Sequence, residues 1–347
     1  MIFTKQFINK SQNADNNVRN RVALCHGPNG YHNWAGVTPT NDLVMSFEME
    51  DGSINSSMFK AGETTTMNPF LNREPRFYAT IGYDGAEWGR PRPSDSQVFD
   101  PTPMGTLQMG FYELSSGGGP VDAQVAFDAT GNPIKTISFT GVNGVDTRRS
   151  SVEDWNGSFT GYLEKKLIDT SFEASESMFQ TCPYPFIRLA EMYLIAAESC
   201  IELNRLDEAV SYLDALRNRI GRPDTKATLN IRNLAFNQSN LREFLRLERR
   251  SELSYEDSRY YDIRRWMIAP EMMSKSLTGI AVVARLKPGK TASAPYVKNP
   301  EIWDYQYFVT DLTYRETRKW NNKLYFAPIK RDEINRNPAM VQNPGME

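Results

Sequence analysis

Histidine and cysteine are scarce in this chain of 347 residues, which holds two histidines and three cysteines. His26 and His32 lie six residues apart, and a zinc site needs more ligands at defined spacing, so the sequence predicts no metal site. Cys200 falls on the apolar face of a predicted helix, which indicates a small buried hydrophobic residue. Cys25 and Cys182 fall in predicted loops, and whether they are bridged does not follow from sequence alone.

The sequence also lacks a long hydrophobic run and an excess of charge of either sign. No apolar stretch approaches the ~20 residues that a membrane-spanning helix needs. The first ten residues contain neither the apolar core nor the small-residue cleavage site of a signal peptide. Because 40 Lys and Arg residues nearly balance 42 Asp and Glu residues, nucleic acid is not an expected partner.

Motifs of familiar catalytic chemistry are missing as well. The chain contains no G-x-S-x-G nucleophile elbow, no H-E-x-x-H zinc helix and no G-x-G-x-x-G turn that opens a helix. The sequence therefore predicts no catalytic residue and no cofactor. The 42 acidic side chains nevertheless leave a glycosidase carboxylate pair open as an alternative.

Aromatic residues, by contrast, are plentiful at 12% of the chain, and many stand in segments rich in Gly, Pro, Asn and Ser. Residues 1–180 are predicted to be loop-rich, with short strands at 77–81, 123–127 and 134–139. A Gly-Asn-Pro turn is expected to join the last two strands. Rings in polar loops suit a surface that binds sugar or protein.

The segment 181–268 is predicted to be helical, and 269–347 to be loop-rich again. Apolar residues recur at three- and four-residue steps through 189–201 and again through 209–220. These two helices form a predicted hairpin close to a tetratricopeptide unit. One hairpin cannot bury its own apolar face, so further helices are expected to pack against it.

Two capping signals mark the predicted starts of the second and third helices. Asp207 is placed to cap the second helix, and Asn240 with Glu243 resembles a capping box that opens the third.

The third predicted helix combines carboxylates and apolar anchors on one face. The residues that recur at helical spacing are Leu241, Phe244, Leu245, Glu248 and Glu252. Half-buried carboxylates need partners, and the candidates nearby in sequence are Arg249, Arg259 and Arg265. We interpret the carboxylates as part of a structural ion-pair network; a general acid and base pair is the alternative.

Several separated blocks carry the motifs of one family. Residues 248–266 match E-R-R-x-E-L-x-x-E-x-x-R-x-x-D-[ILV]-x-R-W, and residues 39–52 are similar to P-T-x-x-L-V-x-x-F-E-x-x-D-G. Residues 73–80 are similar to R-D-P-R-F-Y-A-T, with Glu74 in place of the Asp. Residues 161–194 contain G-Y-x-x-x-K and R-x-A-E-x-x-L blocks, and 325–345 resemble a closing P-I-P-x-x-E-I-x-x-N-P-x-x-x-Q-N-P-G block, with Lys for the second Pro. Together these blocks resemble the SusD/RagB family of surface glycan-binding lipoproteins.

The resemblance implies a mainly α fold, in which tetratricopeptide-like hairpins form an α-α superhelix decorated by a long loop-rich segment and a few short strands. Family members begin with a signal peptide, a lipidated Cys and helical repeats. None of these precedes Phe3 in the sequence. Residues 1–347 are therefore expected to be a single SusD-like domain that lacks its N-terminal part, with 1–180 facing the ligand.

The resemblance also implies a function at the cell surface. Members bind extracellular oligosaccharide, polysaccharide or another nutrient such as peptide at the outer membrane, without catalysis, and deliver it to a SusC-like TonB-dependent transporter. A glycan hydrolase with a carboxylate pair and a helical-repeat scaffold that binds only protein remain the alternatives.

Sugar recognition of this kind uses aromatic rings stacked on sugar rings, with polar groups and Arg on the hydroxyls. The candidate ligand-binding residues in Gly-rich loops are Tyr31, His32, Asn33, Trp34, Tyr83, Trp88, Arg90 and Trp155. Trp266 ends the third predicted helix, which carries the motif of residues 248–266, and is expected to be a packing residue. Trp303 and Trp320 are expected either in the core or on a surface that faces the transporter.

Overall fold

The computed structural model describes residues 2–7, 20–54, 60, 62–89, 105–150, 155–171 and 180–346. Of these residues, 30% are helical and 21% lie in strands, and six of the strands form one mixed sheet. The expectation of a mainly α fold is therefore wrong. The predicted hairpin of two helices is present, but the fold also contains this six-stranded sheet.

The helices of the described residues are α1 Val22–His26, α2 Asn41–Val44, α3 Pro75–Thr80, α4 Leu189–Glu202, α5 Leu206–Arg219, α6 Thr225–Ile231, α7 Gln238–Glu252, α8 Ser258–Arg265, α9 Ala269–Met272 and α10 Arg331–Arg336. Helices α4, α5 and α7 share one apolar core, to which Leu194, Leu213 and Leu241 contribute fully buried side chains. In the described residues, no helix is both long enough and apolar enough to cross a bilayer.

Three local predictions about helices are wrong. Residues 77–80 lie in α3 rather than in a strand, because Pro75 occupies the first turn, where its fixed φ favours a helix. Helix α5 places Asp207 inside its first turn, where the carboxylate accepts from Lys226 Nζ at 2.6 Å instead of capping. Helix α7 begins at Gln238, two residues before the first residue of the predicted box, and its cap is Asn237, whose side chain accepts from Asn240 N.

The strands are β1 Phe3–Lys5, β2 Thr64–Thr65, β3 Ile81–Gly82, β4 Phe111–Glu113, β5 Gly119–Phe127, β6 Pro133–Asn143, β7 Leu163–Glu164, β8 Tyr184–Ile187, β9 Thr278–Leu286 and β10 Trp303–Asp311. The main sheet has the order β2-β10-β9-β4-β6-β5, and only the β4–β9 pair in it is parallel. Strands β5 and β6 form the predicted hairpin. Strands β1 with β8 and β3 with β7 form two small antiparallel pairs.

The β5–β6 hairpin folds over the other end of its own sheet. Val125 on β5 and Val283 on β9 are buried in one cluster with Phe308 on β10. Thr310 Oγ1, also on β10, donates to the backbone oxygen of Val125 at 3.1 Å. The sheet is therefore curled, and its two ends approach each other.

A buried ion-pair network connects α7 to the loop-rich segment, as the sequence predicted. Glu248 lies 2.6 Å from Arg76 Nη1 and 2.9 Å from Arg217 Nη1. Glu252 lies 2.7 Å from Arg188 Nη1 and 2.8 Å from Arg219 Nη2. Both carboxylates and two of their four partners, Arg76 and Arg217, are buried, so the contacts link α3 and α5 to α7 through charges removed from water.

The arginines chosen from sequence are not the partners of these carboxylates. Arg249 Nε instead donates to Asp262 at 2.6 Å, and Arg265 pairs with Asp262 and Glu198. Burial lowers the pKa of Arg259 to about 10. The partners came from distant segments, which spacing within one helix cannot reveal.

The cysteines are all free: Cys25 lies in α1, Cys182 is half-buried and Cys200 is buried, as predicted, on α4. Cys25 and Cys182 are therefore not bridged.

Candidate functional site

A cavity of about 770 Å³ opens where the curled sheet meets two loops, 147–150 and 155–161. Its aromatic lining consists of Phe111, Phe127, Trp155, Phe159 and Tyr314. Its polar lining includes Gln124, Thr147, Arg148, Arg149, Ser150, Ser158 and Thr310. Flat rings beside hydrogen-bonding groups are the combination that a sugar-sized ligand requires.

The two loops hold each other in place at the mouth of this cavity. Thr147 and Ser158 form an isolated β-bridge, and Ser158 Oγ donates to the backbone oxygen of Tyr162 at 2.7 Å. Gly157 permits the close approach, because a Cβ there would stand 2.2 Å from the backbone of Arg148. The backbone therefore sets the distance between the guanidinium of Arg148 and the rings of the second loop.

Asp146 anchors the start of the 147–150 loop through hydrogen bonds to the backbone of other segments. This buried carboxylate accepts from Gly30 N through Oδ1 and from Gln108 N through Oδ2, both at 2.8 Å. Two backbone N–H groups from separate segments thus fix the start of the loop that carries Arg148 and Arg149.

Guanidinium groups and rings alternate along one side of the cavity. The Cζ of Arg148 lies 3.1 Å, and that of Arg315 3.4 Å, from the centroid of Phe159. The rings of Phe127 and Tyr314 are 5.0 Å apart. Burial raises the pKa of Tyr314, although Arg315 and Arg148 act in the opposite direction, so its phenol stays protonated and can donate a hydrogen bond at neutral pH.

Comparison with known proteins agrees with the motifs. The model of the SusD family matches residues 1–346. The chain belongs to the SusD family. No curated protein matches it.

Solved structures of SusD-like proteins share the fold. A SusD-like protein from Bacteroides fragilis is 25% identical with a TM-score of 0.64, over 99% of this chain and 54% of that one. A SusD-like carbohydrate binding protein from the same species is 24% identical with a TM-score of 0.57, over 97% of this chain and 53% of that one. The chain thus spans about half the length of these SusD-like relatives.

The residues predicted to bind ligand in this SusD-family chain lie in two places. Trp155 lines the cavity, and its side chain is 68% exposed. Tyr31 and Trp88 lie away from the cavity lining, in a buried hydrophobic cluster. There the Tyr31 hydroxyl donates to the Trp88 backbone oxygen at 2.9 Å. Tyr31 and Trp88 are only 2% and 3% exposed, so their rings present little surface to a ligand.

The remaining predicted residues surround that second cluster or lie outside the described residues. Asn33 is buried, His32 is half-buried, and Trp34 is 49% exposed. The half-buried ring of Tyr83 packs 4.6 Å from Phe70, and burial with nearby Tyr78 raises its pKa to about 12. Arg90 lies outside the described residues.

The other tryptophans are distributed as follows. Trp266 is half-buried and donates its indole N–H to Glu198 at 2.7 Å, which agrees with a packing role. Trp303 is buried on β10, and Trp320 is half-buried with its ring 5.0 Å from Tyr325.

Histidine does not contribute to a metal site in the part of the chain that the structure describes. His26 Nδ1 lies 2.6 Å from Glu164 Oε2, and burial raises the pKa of Glu164 against the opposing effect of His26. No group of three His, Cys, Asp or Glu side chains within the described ranges is placed to hold a metal ion.

Sequence reasoning missed most of the cavity lining. Phe127, Phe159 and Tyr314 come from three separate segments, and nothing local in the sequence marks them as neighbours. One signal was available: consecutive arginines at 148 and 149 precede Trp155 and Phe159 within a Gly- and Ser-containing stretch.

Proposed function

We propose that this protein binds an extracellular oligosaccharide or polysaccharide in the cavity beside Trp155, without chemical change. The observation that carries the proposal is the exposed indole of Trp155 at the mouth of a cavity with further rings and a polar rim. A sugar ring is apolar on its C–H faces and hydroxylated at its edge, so an indole with nearby donors and acceptors complements it.

Two further facts support this function. The chain belongs to the SusD family, and a structural relative with the same fold is described as a carbohydrate binding protein. The volume of about 770 Å³ lies within the range of small-molecule sites, which suits a few sugar units of a longer chain.

We also propose that the protein acts at the outer-membrane surface and passes its ligand to a SusC-like TonB-dependent transporter. Family membership supports this role. In this arrangement the ligand-facing part is not confined to residues 1–180, because Ile280, Thr310 and Tyr314 also line the cavity. Co-purification with a co-expressed transporter, measured by size-exclusion chromatography, tests the partnership.

The binding function is tested by affinity gel electrophoresis against plant, host and microbial polysaccharides, with product analysis of the same mixtures. We expect retardation by at least one glycan and no released product. The Trp155→Ala variant should lose about 2 kcal/mol of binding free energy, or roughly thirtyfold in affinity.

Trp34→Ala is the matched variant, since it removes the other exposed indole among the predicted residues. If Trp34→Ala abolishes retardation and Trp155→Ala does not, the binding site lies at the segment that carries Trp34 and not at the cavity. Release of sugar products would instead favour a hydrolase.

A further inference from the structure

We infer that the preferred ligand of this cavity is an anionic glycan, carrying carboxylate or sulfate groups. The inference rests on the proposed function and narrows its ligand class. It comes from two arginines at one side of the cavity: Arg149 lines it directly, and Arg315 stacks on the lining residue Phe159.

Arg149 is exposed, and its partner in the structure is neutral. Its Nη2 donates at 2.6 Å to Oε1 of Gln124, a residue of β5 that also lines the cavity. An arginine carries five N–H donors, so this one bond leaves donors for an acceptor on a ligand. An amide does not compensate the charge of the guanidinium, whereas a carboxylate or sulfate would.

Arg315 is the second exposed guanidinium, and it is held by stacking. Its Cζ lies 3.4 Å from the centroid of Phe159, which Arg148 also contacts at 3.1 Å. Stacking uses the flat face of a guanidinium and leaves its N–H edge available for planar, bidentate recognition of an anion.

The acidic residues nearest to Arg315 in sequence have other partners. Asp311 Oδ1 accepts from Thr313 N at 2.7 Å, and Glu316 accepts from Arg318 Nε at 2.7 Å. On β5, Asp122 accepts from Ser138 Oγ at 2.6 Å. None of these carboxylates pairs with Arg149 or Arg315 in the described part of the chain.

Electrostatics therefore favours a negatively charged ligand over a neutral one of the same shape. Arg149 and Arg315 therefore place two like charges at one side of the cavity. Among the lining residues that the structure describes, the charged side chains are arginines. An anionic substituent would lower this repulsion and gain charge-assisted hydrogen bonds, which are roughly twice as strong as neutral ones.

The test compares pairs of related polymers that differ in charge, beside neutral polymers and an acidic peptide. De-esterified and highly methyl-esterified homogalacturonan form one pair, and chondroitin with chondroitin sulfate separates carboxylate from sulfate recognition. Neutral xyloglucan and starch, together with an acidic oligopeptide, complete the panel. Dissociation constants are measured by titration calorimetry at 50 and 300 mM salt.

We expect at least one anionic polymer to bind about tenfold more tightly than its neutral or less charged counterpart, with the advantage shrinking at high salt. Arg149→Gln and Arg315→Gln should each reduce that affinity about tenfold and leave neutral-glycan affinity nearly unchanged. Arg336→Gln, at an exposed position of α10, removes the same charge outside the cavity and should have no effect.

The outcomes separate this inference from the function on which it rests. Equal binding of charged and neutral polymers, lost in Trp155→Ala but unaffected by the arginine variants, would overturn the inference and leave glycan binding intact. Binding of the acidic peptide alone, or of no polymer, would overturn both.

Discussion

Replacement of Arg217 by alanine tests whether the buried ion pairs hold the helices to the loop-rich segment. Arg217 lies on α5 with a fully buried side chain and contacts two carboxylates, Glu48 and Glu248, from different parts of the chain. We expect the substitution to lower the free energy of unfolding by about 3–5 kcal/mol, the usual cost of breaking a buried ion pair.

The magnitude follows from the groups that the substitution leaves behind. The Arg217 Nη1 atom lies 3.1 Å from Glu48 Oε1 and 2.9 Å from Glu248 Oε2. Nη2 and Nε also donate to Thr228 Oγ1 and to the backbone oxygen of Pro223, both at 2.7 Å. Without the guanidinium, these acceptors stay buried with fewer hydrogen-bond donors. The negative charges of Glu48 and Glu248 are then balanced only by their remaining arginine partners.

Arg219→Ala is the matched control, because it removes the same residue type two positions further along α5. The Arg219 side chain is 51% exposed and contacts Glu252 at 2.8 Å, so its loss should cost at most about 1 kcal/mol. Urea denaturation followed by circular dichroism at pH 7 measures both variants. If Arg217→Ala lies within 1 kcal/mol of Arg219→Ala, the buried network stabilises the fold no more than a surface pair, and our reasoning fails.

Three further predictions concern pH, backbone strain and burial. Burial alone would raise the pKa of Glu252, but the surrounding guanidiniums outweigh it and lower the pKa to about 2 from its ordinary 4.5. The stabilisation from this carboxylate is thus complete above pH 4.5 and lost as pH falls toward 2, so Glu252→Gln should flatten the stability curve in that window. Gly161→Ala should destabilise the protein by about 1–3 kcal/mol and weaken glycan binding, because φ is +74° there and a Cβ would stand 2.0 Å from the Ile280 oxygen; an unchanged urea midpoint would contradict this. Trp88→Ala should cost about 3–5 kcal/mol in urea denaturation as a core truncation, whereas Trp34→Ala should stay within about 0.5 kcal/mol; equal costs would refute the difference in burial.

Local periodicity identified the helices well and their ends poorly. The apolar positions Ala197, Leu213 and Leu241 were found from spacing alone, and each is buried in the shared helical core. Spacing reports which face of a helix is apolar, and this face is set by nearby residues. Caps depend on which polar group reaches a free N–H, and Asp207 instead reaches Lys226.

The sheet was largely missed because its strands pair across long stretches of sequence. The hairpin of β5 and β6 was predicted, since a short turn joins its strands. Strand β4 pairs with β6 on one side and with β9 on the other, far along the chain. Strands β9 and β10 were assigned to a loop-rich segment, although 280–284 is an unbroken run of Ile, Ala and Val typical of a buried strand.

The candidate site shows the same division between local and long-range information. Trp88 and Trp155 both lie within two residues of a glycine in polar stretches, so sequence alone treated them alike. Trp88 is buried because Tyr31, from a separate loop, donates to its backbone and covers that cluster. Trp155 stays exposed in a segment that the Thr147–Ser158 bridge holds at the edge of the curled sheet. Local composition can therefore identify aromatic residues that are candidates for ligand binding. Contacts made by distant segments decide which of these rings is exposed to a ligand.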